Sequence, residues 1–331
     1  MSSINVIIPP LNTAASIISF ILLCILFALG AVGLIFNIIV FTRPSLRREP
    51  CSLYFLSSTC INLFVIFLVI PLRILSNSFY IDLAYYNIGI CKVEFFAFYS
   101  IRTISCWLIG LACADRFLHS TANPDIRRIS SLKTAKITIG SIIIIISILY
   151  CHMIVYMSIK YAINQSGNVV SSCESENDIH RTFLSILYMI LYSLCPSFLM
   201  ILFGCLTLNN IRQRRHIISR ITGDNRIARR TNIQLLRMLT AQVFVIIITT
   251  LPQSINQLYK TLTANTAKDT LRLAEENLSS KIFTGMTFFA HSSSFYLFTW
   301  SGSIFRKELY KFLRQHLYPN RNRVHINHDE I

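Results

Sequence analysis

Charged side chains are scarce in this chain of 331 residues, with Asp, Glu, Lys and Arg together making up 14%. A soluble domain carries about 25%, so a water-solvated globule is excluded. Acids are the scarcer sign, 15 Asp and Glu against 31 Lys and Arg, leaving a net charge of +16. Residues 1–14 hold no charged side chain. With no basic stretch ahead of the first apolar run, a cleavable secretory signal is not expected. Internal repeats are lacking, which weighs against transporters built from inverted repeats. Clusters of His, Asp or Glu at ligand spacing are missing from the apolar stretches, and His152 and His291 alone make no metal or catalytic site. No enzyme activity and no cofactor are therefore expected. Residues 304–331 contain no Ser, Thr or Cys, so Ser/Thr phosphorylation and palmitoylation are not expected there.

What the chain has in abundance is apolar sequence: 53% hydrophobic residues and a mean hydropathy of +0.54. The apolar stretches fall near 15–41, 52–74, 89–113, 134–157, 183–208, 233–259 and 282–304. Each supplies the roughly 20 residues a membrane helix requires. The expected fold is all-α: a seven-helix transmembrane bundle over 15–304, after an extracellular N-terminus at 1–14. Phe305, Leu309, Phe312 and Leu313 share one helical face, with Arg306, Lys307 and Lys311 elsewhere. That predicts an amphipathic helix over 305–317, lying on the inner leaflet, and a cytoplasmic tail at 318–331. Pro196 and Pro252 fall inside spans, where neighbouring helices can satisfy the freed carbonyls.

The excess of positive charge is a topology signal, not a nucleic-acid footprint. Arginines and lysines crowd the segments after spans one, three, five and seven, whereas the alternate segments carry Glu174, Glu176 and Asp178, then Asp269, Glu275 and Glu276. The positive-inside rule puts the N-terminus outside. The glycosylation acceptors Asn164 and Asn277 then fall in outer loops, and only Cys91 and Cys173 lie near the oxidising outer surface.

Against that topology, Asp115-Arg116-Phe117 sits at the cytoplasmic edge of span three, 25 residues after Cys91. As helix that is roughly 37 Å, enough to cross a bilayer. Two adjacent ionised residues abutting a membrane span call for a reason. Together with Gly33-Leu34-Ile35-Phe36-Asn37, Pro71, Pro196, Pro252 and Phe305-Arg306, this ordered set resembles the rhodopsin-like (class A) G-protein-coupled receptors. In style it is also similar to invertebrate FMRFamide-like neuropeptide receptors. The resemblance implies a disulfide between Cys91 and Cys173. It implies too that Asp115 restrains Arg116 until activation frees the arginine for a heterotrimeric G protein.

The chain departs from the family pattern at several positions. Asn62 replaces the usual aspartate of span two, so an inward sodium site is not expected. Thr249-Thr250-Leu251-Pro252 lacks the span-six tryptophan, and Ser294-Phe295-Tyr296-Leu297-Phe298 stands where N-P-x-x-Y is usual. Phe98 occupies the position of the amine receptors' aspartate, and span seven has no retinal-type lysine, with Phe288 near its place. The candidate ligand pocket comprises Arg73, Glu94, Phe98, Tyr99, Arg102, Gln253, Asn256 and Gln257. Structural alternatives stand beside it: an Arg–Glu pair inside the bundle, interhelical hydrogen bonds for Gln253, Asn256 and Gln257, and a satisfied core role for His291. Pro71, the short N-terminus and an acidic second outer loop suit a peptide ligand, a basic one if the loop's charge steers it. A small-molecule chemosensory receptor is the alternative within the fold, and a transporter or channel the alternative outside it.

Overall fold

The computed structural model describes residues 2–79, 81–163, 169–218, 226–264, 266 and 268–317, with backbone alone near the edges of the gaps and at 2–10. Among the described residues six helices are long and apolar enough to cross a bilayer. They are α1 (Ser2–Phe41, its apolar part Leu11–Phe41), α2 (Pro50–Phe79), α3 (Ile88–Ser120), α4 (Leu132–Tyr156), α5 (Asp178–Gln213) and α6 (Arg226–Leu262). The seventh, α7 (Thr270–Ser292), carries Arg272, Glu275, Glu276 and Lys281 in its first half, which dilutes its apolar character. It breaks at Ser293, resumes as Ser294–Ser301, and yields at Gly302 to α8 (Ser303–Leu317). The outward faces are apolar, with Phe64, Ile144, Phe198 and Phe244 among many exposed large side chains. That is the surface a lipid-solvated bundle needs, because a spanning helix pairs most of its backbone polar groups internally.

Two prolines reshape their helices in the same way. A proline ring clashes with the carbonyl four residues before it and offers no N–H. Pro71 follows a wider π-turn at Val65–Val69, and Pro196 follows one at Met189–Leu194. In a π-turn the Leu191 carbonyl would look to residue 196 for its donor. Trp107 of α3 supplies one instead, its Nε1 donating to that carbonyl at 2.8 Å. The bend therefore fastens α5 to α3. Small residues set the other close approach: a Cβ added at Gly33 would lie 3.0 Å from that of Phe295, so α1 and the segment after Ser293 meet through a missing side chain.

Three features of the structure add to the sequence reading. Residues 2–14, expected as a separate N-terminal segment, prolong α1. The connection from α4 to α5 contains β1 (Met157–Ile163) paired antiparallel with β2 (Val169–Ser175), with Ile159 opposite Cys173. Asn277 lies within α7 and not in a loop, its amide donating to Asn12 Oδ1 at 3.2 Å. The other acceptor, Asn164, falls outside the described residues, as do the Gly223-Asp224-Asn225 turn and the tail from residue 318.

Candidate functional site

The candidate side chains gather at both ends of the bundle and along its axis. At the Cys91 end of α3, Asn87 caps the helix by accepting from the backbone N–H groups of Gly89 and Ile90, at 2.8 and 3.2 Å. The cap fixes where the helix begins, one turn before Cys91. Cys91 is bonded to Cys173 with Cα atoms 5.8 Å apart, so β2 is covalently held over the top of α3.

Beneath the hairpin lies a cavity of about 400 Å³. Four of the eight expected pocket residues line it: Tyr99, Gln253, Asn256 and Gln257. They also tie helices together. Gln257 Nε2 donates to the Tyr99 hydroxyl at 2.8 Å, and Asn256 Nδ2 donates to Ser280 Oγ at 2.9 Å. Thr284 Oγ1 donates to Gln253 Oε1 at 3.5 Å. Sequence reasoning missed Arg181, Lys260 and Thr284 in the same lining. Arg181 binds Glu174 at 2.5 Å and stands 3.7 Å from Asp178. The loop acids thus have a cation of their own, which removes much of the attraction expected for a basic ligand.

The other four expected residues do not line the cavity. Arg73 and Glu94 form an ion pair at 3.5 Å, largely withdrawn from the surface. Phe98 lies between two guanidinium groups, with the Arg73 Cζ 4.7 Å and the Arg102 Cζ 4.6 Å from its ring centre. Arg102 is wholly buried one turn below Tyr99. It donates to the Tyr192 hydroxyl at 3.2 Å and to Thr287 Oγ1.

From Arg102 a polar chain runs down the bundle axis. The Tyr192 hydroxyl faces His291 Nε2 at 3.5 Å, and His291 Nδ1 faces Asn62 Oδ1 at 2.9 Å. Asn62 Oδ1 accepts from Ser105 Oγ at 2.6 Å, which meets Ser58 Oγ at 3.1 Å. His291 is thus a satisfied core group. Where the span-six tryptophan is lacking, Thr250 reaches Ser193 of α5 at 3.3 Å. Ser294 accepts from Asn37 Nδ2 at 2.9 Å, and Phe41, Phe55, Phe298 and Phe305 pack ring against ring below it.

At the opposite end, Arg116 donates to Asp115 Oδ2 from Nη2 at 2.8 Å and from Nε at 3.2 Å. Their side chains are 3% and 5% exposed. Ser130, in the loop before α4, donates to the second Asp115 oxygen at 2.7 Å. Glu49, just before α2, places a further carboxylate 3.7 Å from Arg116 Nη2. Neither partner was foreseen, although an acid following Arg47 and Arg48 in a basic loop was a signal. Phe117 packs on Phe203, ring centres 5.7 Å apart, and Asn210 donates to Ser120 at 2.9 Å, so α5 braces the same end of α3.

A family model described as 7 transmembrane receptor (rhodopsin family) matches residues 33–296, well over half of the chain. The chain belongs to the rhodopsin family of seven-transmembrane receptors. No curated protein matches it. Members of the family are signalling receptors, not enzymes, with an extracellular ligand and a G protein as partners. This receptor accordingly has its ion-paired Asp115–Arg116 at one end and its cavity at the other.

Proposed function

We propose that this receptor lies in the plasma membrane with its N-terminus outside, binds a neuropeptide in the cavity under the β1–β2 hairpin, and couples to a heterotrimeric G protein through Arg116. The observation that carries the coupling role is the buried pair: an arginine donating two bonds to Asp115, with Ser130 and Glu49 around it. Such a cluster is a two-state element, because freeing Arg116 requires the acid to release it. Ligand-driven parting of the inner ends of α3 and α6 would expose Arg116 to a G-protein helix. A peptide suits the outer end because the hairpin presents backbone edges to which an extended chain can add, while its terminal residues enter the cavity. Asn164 and Asn277 are the proposed glycosylation acceptors.

The test is Arg116→Glu, with surface display measured beside signalling. Coupling should vanish while display persists, whether the reporter reads calcium or cyclic nucleotide. Signalling that survives the charge reversal removes Arg116 from the mechanism. A screen of peptides alongside small odorant-like molecules separates the peptide reading from the chemosensory one, since the cavity volume suits either a small molecule or a peptide's end.

A further inference from the structure

Arg102 does more than the bundle needs of it. Only Nη2 is engaged, by Tyr192 and Thr287; Nε and Nη1 have no hydrogen-bond partner among the described residues. No carboxylate pairs with it there either, whereas Arg73, the other guanidinium against Phe98, has Glu94. The rings of Phe98, Tyr192 and Phe288 stand 4.6, 5.0 and 5.2 Å from its Cζ and offset part of the charge. They cannot accept in-plane from its N–H groups. An ionised group at membrane depth is costly unless it finds a partner, and the guanidinium's planar fork is shaped for a carboxylate.

The cavity lies about one helical turn above those idle donors. Tyr99, in its lining, is three residues before Arg102 on α3, about 4.5 Å higher along the helix. Thr284, also in the lining, is three residues before Thr287, which accepts from Arg102. Within the wall, Lys260 forms no ion pair among the described residues. Below the cavity, Arg102 is thus a positive charge with no carboxylate paired to it among the described residues.

We propose that Arg102 anchors a carboxylate carried by the ligand. The ligand is a carboxylic acid, either a small molecule or a peptide with a free C-terminus, whose carboxylate passes Tyr99 to reach the unused Arg102 donors. This rests on the receptor reading and names the chemistry its cavity selects. A strut joining α3, α5 and α7 would need only the two bonds from Nη2 and gives no reason for a missing counter-charge.

The experiment uses the full chain in lipid nanodiscs and follows its thermal midpoint. Benzoate is compared with benzamide, and a tetrapeptide library made as free acids is compared with the same library as C-terminal amides. The acids should raise the midpoint above the amides, as ligands of the folded state do, and the probe set that does so identifies the source of the carboxylate. Arg102→Gln should erase the acid preference, with carboxylate affinity down at least about tenfold, and Arg102→Lys should keep part of it. Acids and amides acting alike on the wild-type receptor in both sets would overturn the proposal, even if the glutamine variant fails to fold. So would a folded glutamine variant that still prefers acids. Arg116-dependent nucleotide exchange on purified G protein, run in parallel, keeps the two readings apart. Exchange without acid preference removes only the anchor, and acid preference without exchange removes only the coupling.

Discussion

Neutralising Asp115 tests the switch most directly. In Asp115→Asn the side chain keeps its shape and loses the charge that holds Arg116 at 2.8 and 3.2 Å in a setting 3–5% exposed. Two unit charges about 3 Å apart interact by roughly 5–6 kcal/mol at an effective dielectric near 20, before desolvation is subtracted. Desolvation removes much of that, and the active state must place the freed arginine in some polar setting. A net bias of about 1.5–3 kcal/mol toward the resting state follows, equivalent to a rise of roughly ten- to a hundredfold in the active-to-resting ratio on neutralisation. Glu49 provides an internal comparison. At 3.7 Å and 32% exposed it resembles a surface pair, worth about 0.2–1 kcal/mol, so Glu49→Gln should raise the ratio by no more than about fivefold. The assay is ligand-free nucleotide exchange on G protein, normalised to receptor at the cell surface. Because both acids act on one arginine, the double variant should depart from the sum of the singles. Basal exchange in Asp115→Asn no higher than wild type, at equal display, would refute the restraint.

Other perturbations separate structural contributions. Cys173→Ser opens a covalent loop with 82 residues of sequence separation. The chain-entropy account gives at most about 4.5 kcal/mol, less in a bilayer that already confines the helices; surface display should fall, and unchanged display and ligand binding would argue that the loop is held otherwise. Glu94→Gln leaves Arg73 without its acid and should destabilise by about 3–5 kcal/mol, whereas Arg73→Leu with Glu94→Leu should come close to neutral, as read from thermal midpoints. Gly302→Ala drives a Cβ to 2.9 Å from the Phe298 carbonyl oxygen and 2.6 Å from Met238 Sδ, so a loss of about 1–3 kcal/mol is expected. Gly140→Ala meets nothing within 4 Å and should stabilise α4 by about 0.5–1 kcal/mol.

The sequence made some features legible because their signal is local or cumulative. Span lengths, charge asymmetry, and the 25-residue interval between Cys91 and Arg116 survive any detail of packing. The pocket was half legible for a geometric reason. Which residues of a helix line a cavity depends on its rotation about its own axis, and an apolar span in lipid gives no amphipathic stripe to fix that. Phe98 and Tyr99 are adjacent, yet the tyrosine lines the cavity and the phenylalanine lies between two arginines. Arg181 was passed over because its worth lies in contacts to Glu174 and Asp178 that only the folded loop creates. The same holds for Asn277, whose acceptor motif reads as loop while helical pairing with Asn12 decides its place.

The departures along the axis form a consistent set once charge is followed. The family resemblance leads one to expect an aspartate at position 62, hence a negative interior able to hold a small cation. Here Asn62 is neutral and spends its Oδ1 on Ser105 and His291. Arg102, linked to the same chain through Tyr192 and His291, brings a fixed positive charge. Replacing an acid by an amide alone would leave the interior neutral, and adding an arginine alone would leave an ion pair across the bundle. Both together invert the sign of the interior, so the ion missing from it is an anion, and the nearest aqueous source is the cavity one helical turn above. An Asn62→Asp receptor restores the acid within reach of this chain. That substitution should weaken any preference for acidic over amide probes while leaving the Asp115–Arg116 end untouched, and a preference that persists at full strength would show that Arg102 is not short of a counter-charge.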